Sequence, residues 1–217
     1  MHRASMHVTE RPPADSLARA ALLHALCGAK VTMNVPMQWR EVRYPLLSPT
    51  PLWRAEYSVD RPVPEDFFAA CVLPEHSMLV SMLVCRNGAT FVYTHEREGV
   101  LFTARPQYSL RGIVPDDSVV HAFVYCDRDG RVLLGVFDAN KIGGADVSTL
   151  APLTRHCQVF DMYHAQRTAA ELVVYHGVYY EHACLQLDSA SLHFQASRIL
   201  RLPQSKSELA YDCVLLP

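Results

Sequence analysis

Lysine, cysteine and histidine side chains in this sequence could carry chemistry, and their positions decide which chemistry is open to them. A lysine amine can act as the nucleophile in nucleotidyl transfer, forming a covalent bond to the nucleotide. Of the 20 Lys and Arg residues, only Lys30, Lys141 and Lys206 are lysine, and the other 17 are arginine. The stretch "CRNGATFVYT" at 85–94 reads as a strand end, an Asn87-Gly88 turn and a second strand, and it contains Arg86 but no lysine. His176, His182 and Cys184 have spacing that could suit a metal. Their segment reads as strand, turn and strand, however, with no fourth ligand in sight. Cys85 and Cys126 fall at strand ends, where a buried structural thiol is the ordinary occupant. The sequence has no G-x-S-x-G, no Walker-type G-x-x-x-x-G-K and no G-x-G-x-x-G. Gly143-Gly144 is followed by no Lys-Ser or Lys-Thr and reads as a tight turn.

Composition narrows the classes further. A net charge of −2 argues against a broad duplex-binding surface, which needs a strong cationic excess, but leaves room for a focused arginine pocket. The seven cysteines form no C-x-x-C pair, a pattern that fits reduced thiols in an intracellular protein. No run of about 18 apolar residues is present, so no membrane helix is expected. The N-terminus lacks a secretory apolar core, and "ADSLARAALLHALC" at 14–27 reads as an amphipathic helix capped by Asp15 or Ser16.

The elements that must position these residues follow from patterning. Pro12-Pro13 ends a polar lead-in, and Pro36, Pro45, Pro49 and Pro51 break the region after the helix. Short β-rich runs follow at 67–73, 78–85, 89–94, 99–104 and 118–126, and "DRDG" closes a hairpin into 131–138. A helix is expected over 154–172, with Val159, Met162, Tyr163 and Ala170 on one face, and strands return at 173–180, 191–200 and 211–217. The expected class is α+β, with mostly antiparallel sheets and few helices.

The order of these segments resembles the nucleotidyltransferase domain of mRNA guanylyltransferases and polynucleotide ligases. Val136-Phe137-Asp138, the Gly143-Gly144 loop and Arg155 match one motif of that domain, and Asp212-Cys213-Val214-Leu215 loosely matches a later one. The family's reactive K-x-D-G lysine has no counterpart, its acidic strand is replaced by Val120-His121-Ala122-Phe123, and its last lysine-rich motif is not matched. Within this group the sequence is most similar to the snurportin-like, cap-binding branch. Cys85 to Thr94 follows that branch's hairpin with one inserted asparagine, and Glu56-Tyr57-Ser58-Val59-Asp60-Arg61-Pro62 and Leu73-Pro74 follow its upstream segments. The likeness runs over about residues 53–217.

The resemblance implies a non-enzyme without a cofactor that binds a methylguanosine-capped RNA 5′ end within a ribonucleoprotein complex, in the nucleus or cytoplasm and away from membranes. Cap binding requires aromatic faces for the cationic base and cations for the phosphates. The resemblance therefore implies a site drawn from Trp53, Arg54, Tyr57, Leu73, Arg86, His95 and Phe137, with Tyr93 and Arg105 as further candidates. Phe137 and Tyr93 fit a core role better than that of a stacking platform. The alternative is a pocket-less scaffold of the same fold, acting as an assembly subunit. Residues 1–50 are expected to form a helix and extended interaction arm, and 51–217 the domain proper.

Overall fold

The computed structural model describes residues 14–32, 46–51, 68–94, 100–165, 171–175, 179–180, 192, 194–203 and 210–215. Among these residues it is an α+β structure with two α-helices and two sheets. Helix α1 (Ala14–Leu26) leads into β1 (Cys27–Lys30) and β2 (Leu46–Pro51). Then come β3 (Phe68–Pro74), β4 (Met78–Val84), β5 (Thr90–Thr94), β6 (Leu101–Ala104), β7 (Ser118–Cys126), β8 (Val132–Ile142) and β9 (Ala145–Asp146). Helix α2 (Pro152–Ala165), β10 (Val173–Tyr175), β11 (Tyr179–Tyr180), β12 (Ala196–Pro203) and β13 (Ala210–Leu215) complete the order. The first sheet runs β1-β6-β5-β4-β7-β8-β10 with β9 paired to β8, and the second runs β11-β3-β12-β13-β2. Pairing is antiparallel except for β10 on β8 and β13 on β2.

Alternation sorts the first sheet into two faces. Met82 is opposite both Val92 and Val120, and Val80 is opposite Ala122. These residues join Leu22 and Leu26 of α1, Leu134 and Val136 of β8, and Val159 and Met162 of α2 in the main core. Burying a side chain of this size contributes about 1.5–3 kcal/mol, so α1 is integral to the fold.

That placement corrects the expected division at residue 50. Leu22 and Leu26 are buried in the main core, β1 pairs with β6, and β2 pairs along its length with β13. Arg105 fastens β1 further, its amide donating to the Leu26 carbonyl and its Nε donating to the Cys27 carbonyl at 3.1 Å. Helix α1 thus packs in the main core, β1 belongs to the first sheet and β2 to the second.

Two other expectations shift. Helix α2 ends at Ala165, and Glu171 and Leu172 form a turn into β10, so the predicted helix is too long. Cys126 is exposed at the end of β7 instead of buried.

Candidate functional site

One row of side chains crosses the centre of the first sheet on the face opposite the main core. Ser81 of β4 is opposite both Tyr93 of β5 and His121 of β7, and His121 is opposite Asp138 of β8. Directly opposed residues of antiparallel strands share a face, so the order across four strands is Tyr93, Ser81, His121, Asp138. Phe194, just before β12, packs edge-on against Tyr125 on this same face, with ring centroids 5.4 Å apart.

Two β-bulges on β8 build the end of the row. Ala122 pairs with Val136 and His121 with Asp138, which leaves Phe137 as an extra residue; likewise Val120 pairs with Ala139 and Val119 with Lys141, which leaves Asn140 extra. A bulge re-aims side chains that strict alternation would send to the other face. The first bulge lets Phe137 stack on Phe123 at 4.7 Å while its neighbour Asp138 stands opposite His121. The second brings Asn140 to His121, with Oδ1 2.9 Å from Nε2.

His121 is therefore held on both sides, since the Ser81 Oγ lies 2.7 Å from its Nδ1. With Asn140 presenting Oδ1, the neutral ring carries its proton on Nε2 and accepts from the Ser81 hydroxyl on Nδ1. Burial lowers its pKa from the ordinary histidine value; the Asp138 charge and the Asn140 bond oppose that shift, and Arg155 adds to it. His121 is an uncharged, fully buried residue in the strand where the resembling enzymes carry acids.

Asp138 is paired with Arg155 from the first turns of α2. Arg155 donates from Nε to Oδ1 and from Nη2 to Oδ2, each at 3.0 Å, and from Nη1 to the Leu150 carbonyl. Both side chains are completely buried, and the two-pronged geometry is the form in which a buried ion pair is best satisfied. His156 follows on the helix, 4.0 Å from Asp138 Oδ2, with neither ring nitrogen hydrogen-bonded. Burial, reinforced by Arg155 against the pull of Asp138, takes its pKa down to about 4, so it is neutral at pH 7.

The remaining predicted residues are dispersed. Phe137 is wholly buried under Phe123 and has no face free for a ligand. Leu73 is buried in β3 and likewise belongs to the core. Arg86 is exposed in the β4–β5 turn, 3.7 Å from Asp117, whose other oxygen lies 2.9 Å from the Lys141 amine. Tyr93 is half-buried, paired with Leu101 of β6 and packed against the small cluster of Leu83, Leu101 and Val119. Trp53, Arg54, Tyr57 and His95 lie outside the described residues, as do His176, His182 and Cys184. Gly143 and Gly144 form a turn with φ of 57° and 89°, tied back to β7 by amide bonds to the Ser118 hydroxyl and the Asp117 carbonyl. Among the described residues no cluster of three His, Cys, Asp or Glu is placed to hold a metal ion. Sequence reasoning missed Ser81, Asn140 and His156; only Ser81, inside the apolar run "MLVSMLVC", carried a signal of burial.

No family model matches the chain, and no curated protein matches it. Solved structures do. The ligase domain from M. tuberculosis LigD superposes with a TM-score of 0.52 at 12% identity, over 79% of this chain and 58% of that one. A mycobacterial DNA ligase D complexed with ATP and MES gives 0.51 at 13% identity, over 79% and 60%. The fold is nucleotidyltransferase-like. This chain spans about three fifths of the length of those two, and identity this low speaks to fold alone.

Proposed function

We propose that this chain is a non-catalytic nucleotidyltransferase-fold module that binds a methylguanosine-capped RNA 5′ end within a ribonucleoprotein complex. The observation that carries the proposal is the chemistry of the central row. Neutral His121 is engaged by Ser81 and Asn140, and the Asp138 carboxylate is taken up by Arg155. These contacts engage both groups within the fold, which supports a binding role over nucleotidyl transfer. Lys141 is engaged in an ion pair with Asp117, Nζ to Oδ1 at 2.9 Å, so a nucleophilic role would require that pair to break.

In this reading the ligand meets the row at Tyr93, its half-exposed aromatic end, and Arg86 supplies a cation for the phosphates. Two experiments test it. Incubation with labelled GTP or ATP and a divalent metal gives no adduct that survives denaturation; a stable band lost in Lys141→Ala or Lys206→Ala shows an active transferase instead. Titration with methylated and unmethylated guanosine triphosphate analogues, followed by tryptophan fluorescence, gives tighter binding of the methylated form. Equal affinity, or no binding at millimolar ligand, leaves the scaffold role in its place.

A further inference from the structure

The structure contains a second feature, on the main-core side of the first sheet and unconnected with the polar row. A cavity of about 360 Å³ opens between α1, the β7–β8 hairpin and the β3–β4 turn. Ala18, Ala21, Leu22 and Val132 give it an apolar floor, and Glu75 and Arg128 stand at its edges. Its size comes from sequence, because two alanines stand where longer side chains would fill the gap against the hairpin.

Leu17 lies one helical turn before Ala21, on the same side of α1, and does not line the cavity. It is 59% exposed, the most exposed large hydrophobic residue among those described. A projecting leucine next to an apolar hollow makes a self-complementary patch, which is what a two-fold interface requires: each copy offers the knob and receives the other's. Of the charged rim residues, Glu75 is already paired with His76 of its own chain at 3.4 Å, so the case for a second copy rests on the knob and the hollow, which one surface carries together.

We infer that two copies of this chain associate through α1, with Leu17 of each seated in the cavity beside Ala21 of the other. Helix α1 is only 13 residues long, about 20 Å, so the interface is small and the dimer weak. The inference is independent of cap binding and holds or fails without it.

The test uses the full chain in reducing buffer, with mass measured by sedimentation equilibrium up to about 100 µM, where a micromolar dimer is populated. The expected mass rises from 24.4 kDa towards twice that value. Leu17→Asp abolishes the rise, and so does Ala21→Trp, which fills the hollow; both keep the wild-type circular dichroism spectrum. Alkylation of Cys126, which lines the cavity, slows as the wild-type concentration increases but not in Leu17→Asp. A single-chain mass at every concentration overturns the inference. So does a dimer that survives both substitutions.

Discussion

Arg155→Ala removes the guanidinium from a carboxylate that has no water to turn to. Asp138 and Arg155 are both at 0% exposure, and two of the three hydrogen bonds made by the Arg155 guanidinium end on Asp138. Breaking a buried pair from one side costs about 3–5 kcal/mol, mostly the penalty of the stranded charge. In a domain of this size each kcal/mol lowers Tm by roughly 2–4 °C, so the expected fall is about 6–20 °C. The reverse truncation, Asp138→Ala, strands Arg155 and costs a similar amount. The double variant Asp138→Leu/Arg155→Met strands neither charge and restores most of the loss, to within about 1–2 kcal/mol of wild type. Urea unfolding followed by circular dichroism measures all four proteins. If the single variants lose under about 1 kcal/mol, or the double variant loses the sum of both, the pair is not the buried unit described here.

Other perturbations have equally direct readouts. His156 is neutral in the fold with a pKa near 4, whereas the unfolded chain takes the proton below about 6.5. The stability present above pH 6.5 is therefore lost as pH falls towards 4, by about 3 kcal/mol for this residue. His156→Phe should flatten that limb of the stability–pH curve. Deleting residues 1–31 removes α1 and β1 and should give an insoluble or non-cooperative product. Leu26→Ala alone, by emptying a fully buried site, should cost about 2–5 kcal/mol in chemical denaturation. If cap analogues bind, Arg86→Ala should weaken them more at low salt than at high salt, because its guanidinium is exposed and screened. Asp117→Asn tests the same corner with the opposite sign, since it removes the negative charge beside Arg86 and Lys141 and should tighten binding of the phosphates. Asparagine tolerates the φ of 61° at that position.

The strands of the first sheet were legible because their alternation and turn residues agree. "MLVSMLVC", "ATFVYT" and "SVVHAFVYC" fall on β4, β5 and β7 with boundary shifts of a residue or less, and Asp127 to Gly130 form the turn into β8. The N-terminal third was not legible, for a specific reason. Strand β2 contains Pro49 and Pro51, and proline normally argues against a strand. Among the described residues, β2 lies at the edge of the second sheet and pairs only with β13, where a missing amide costs little. Strand β1, "CGAK", has almost no β propensity and is defined by its pairing with β6 and by the Arg105 bonds. Both strands draw their conformation from partners more than 70 residues away in sequence, which no local pattern reveals.

The site divides in the same way. Phe137, Asp138 and Arg155 could be grouped as one motif from their order, and the structure does bring Asp138 and Arg155 together. The bulges could not be foreseen, because one extra residue in β8 leaves the apolar composition unchanged while altering which side chains meet. Their consequence is electrostatic. Serine, a neutral histidine and asparagine carry no charge, and the charges of Asp138 and Arg155 cancel at 3.0 Å, so the centre of the sheet is neutral. A neutral centre offers no net charge to draw in a triphosphate or a divalent cation. Under the proposed function, selectivity must then come from aromatic stacking, and attraction for phosphate from the exposed Arg86 corner, where Asp117 offsets part of the positive charge. Methylation of the base adds to the first term and salt weakens the second, so the two can be separated in one titration series.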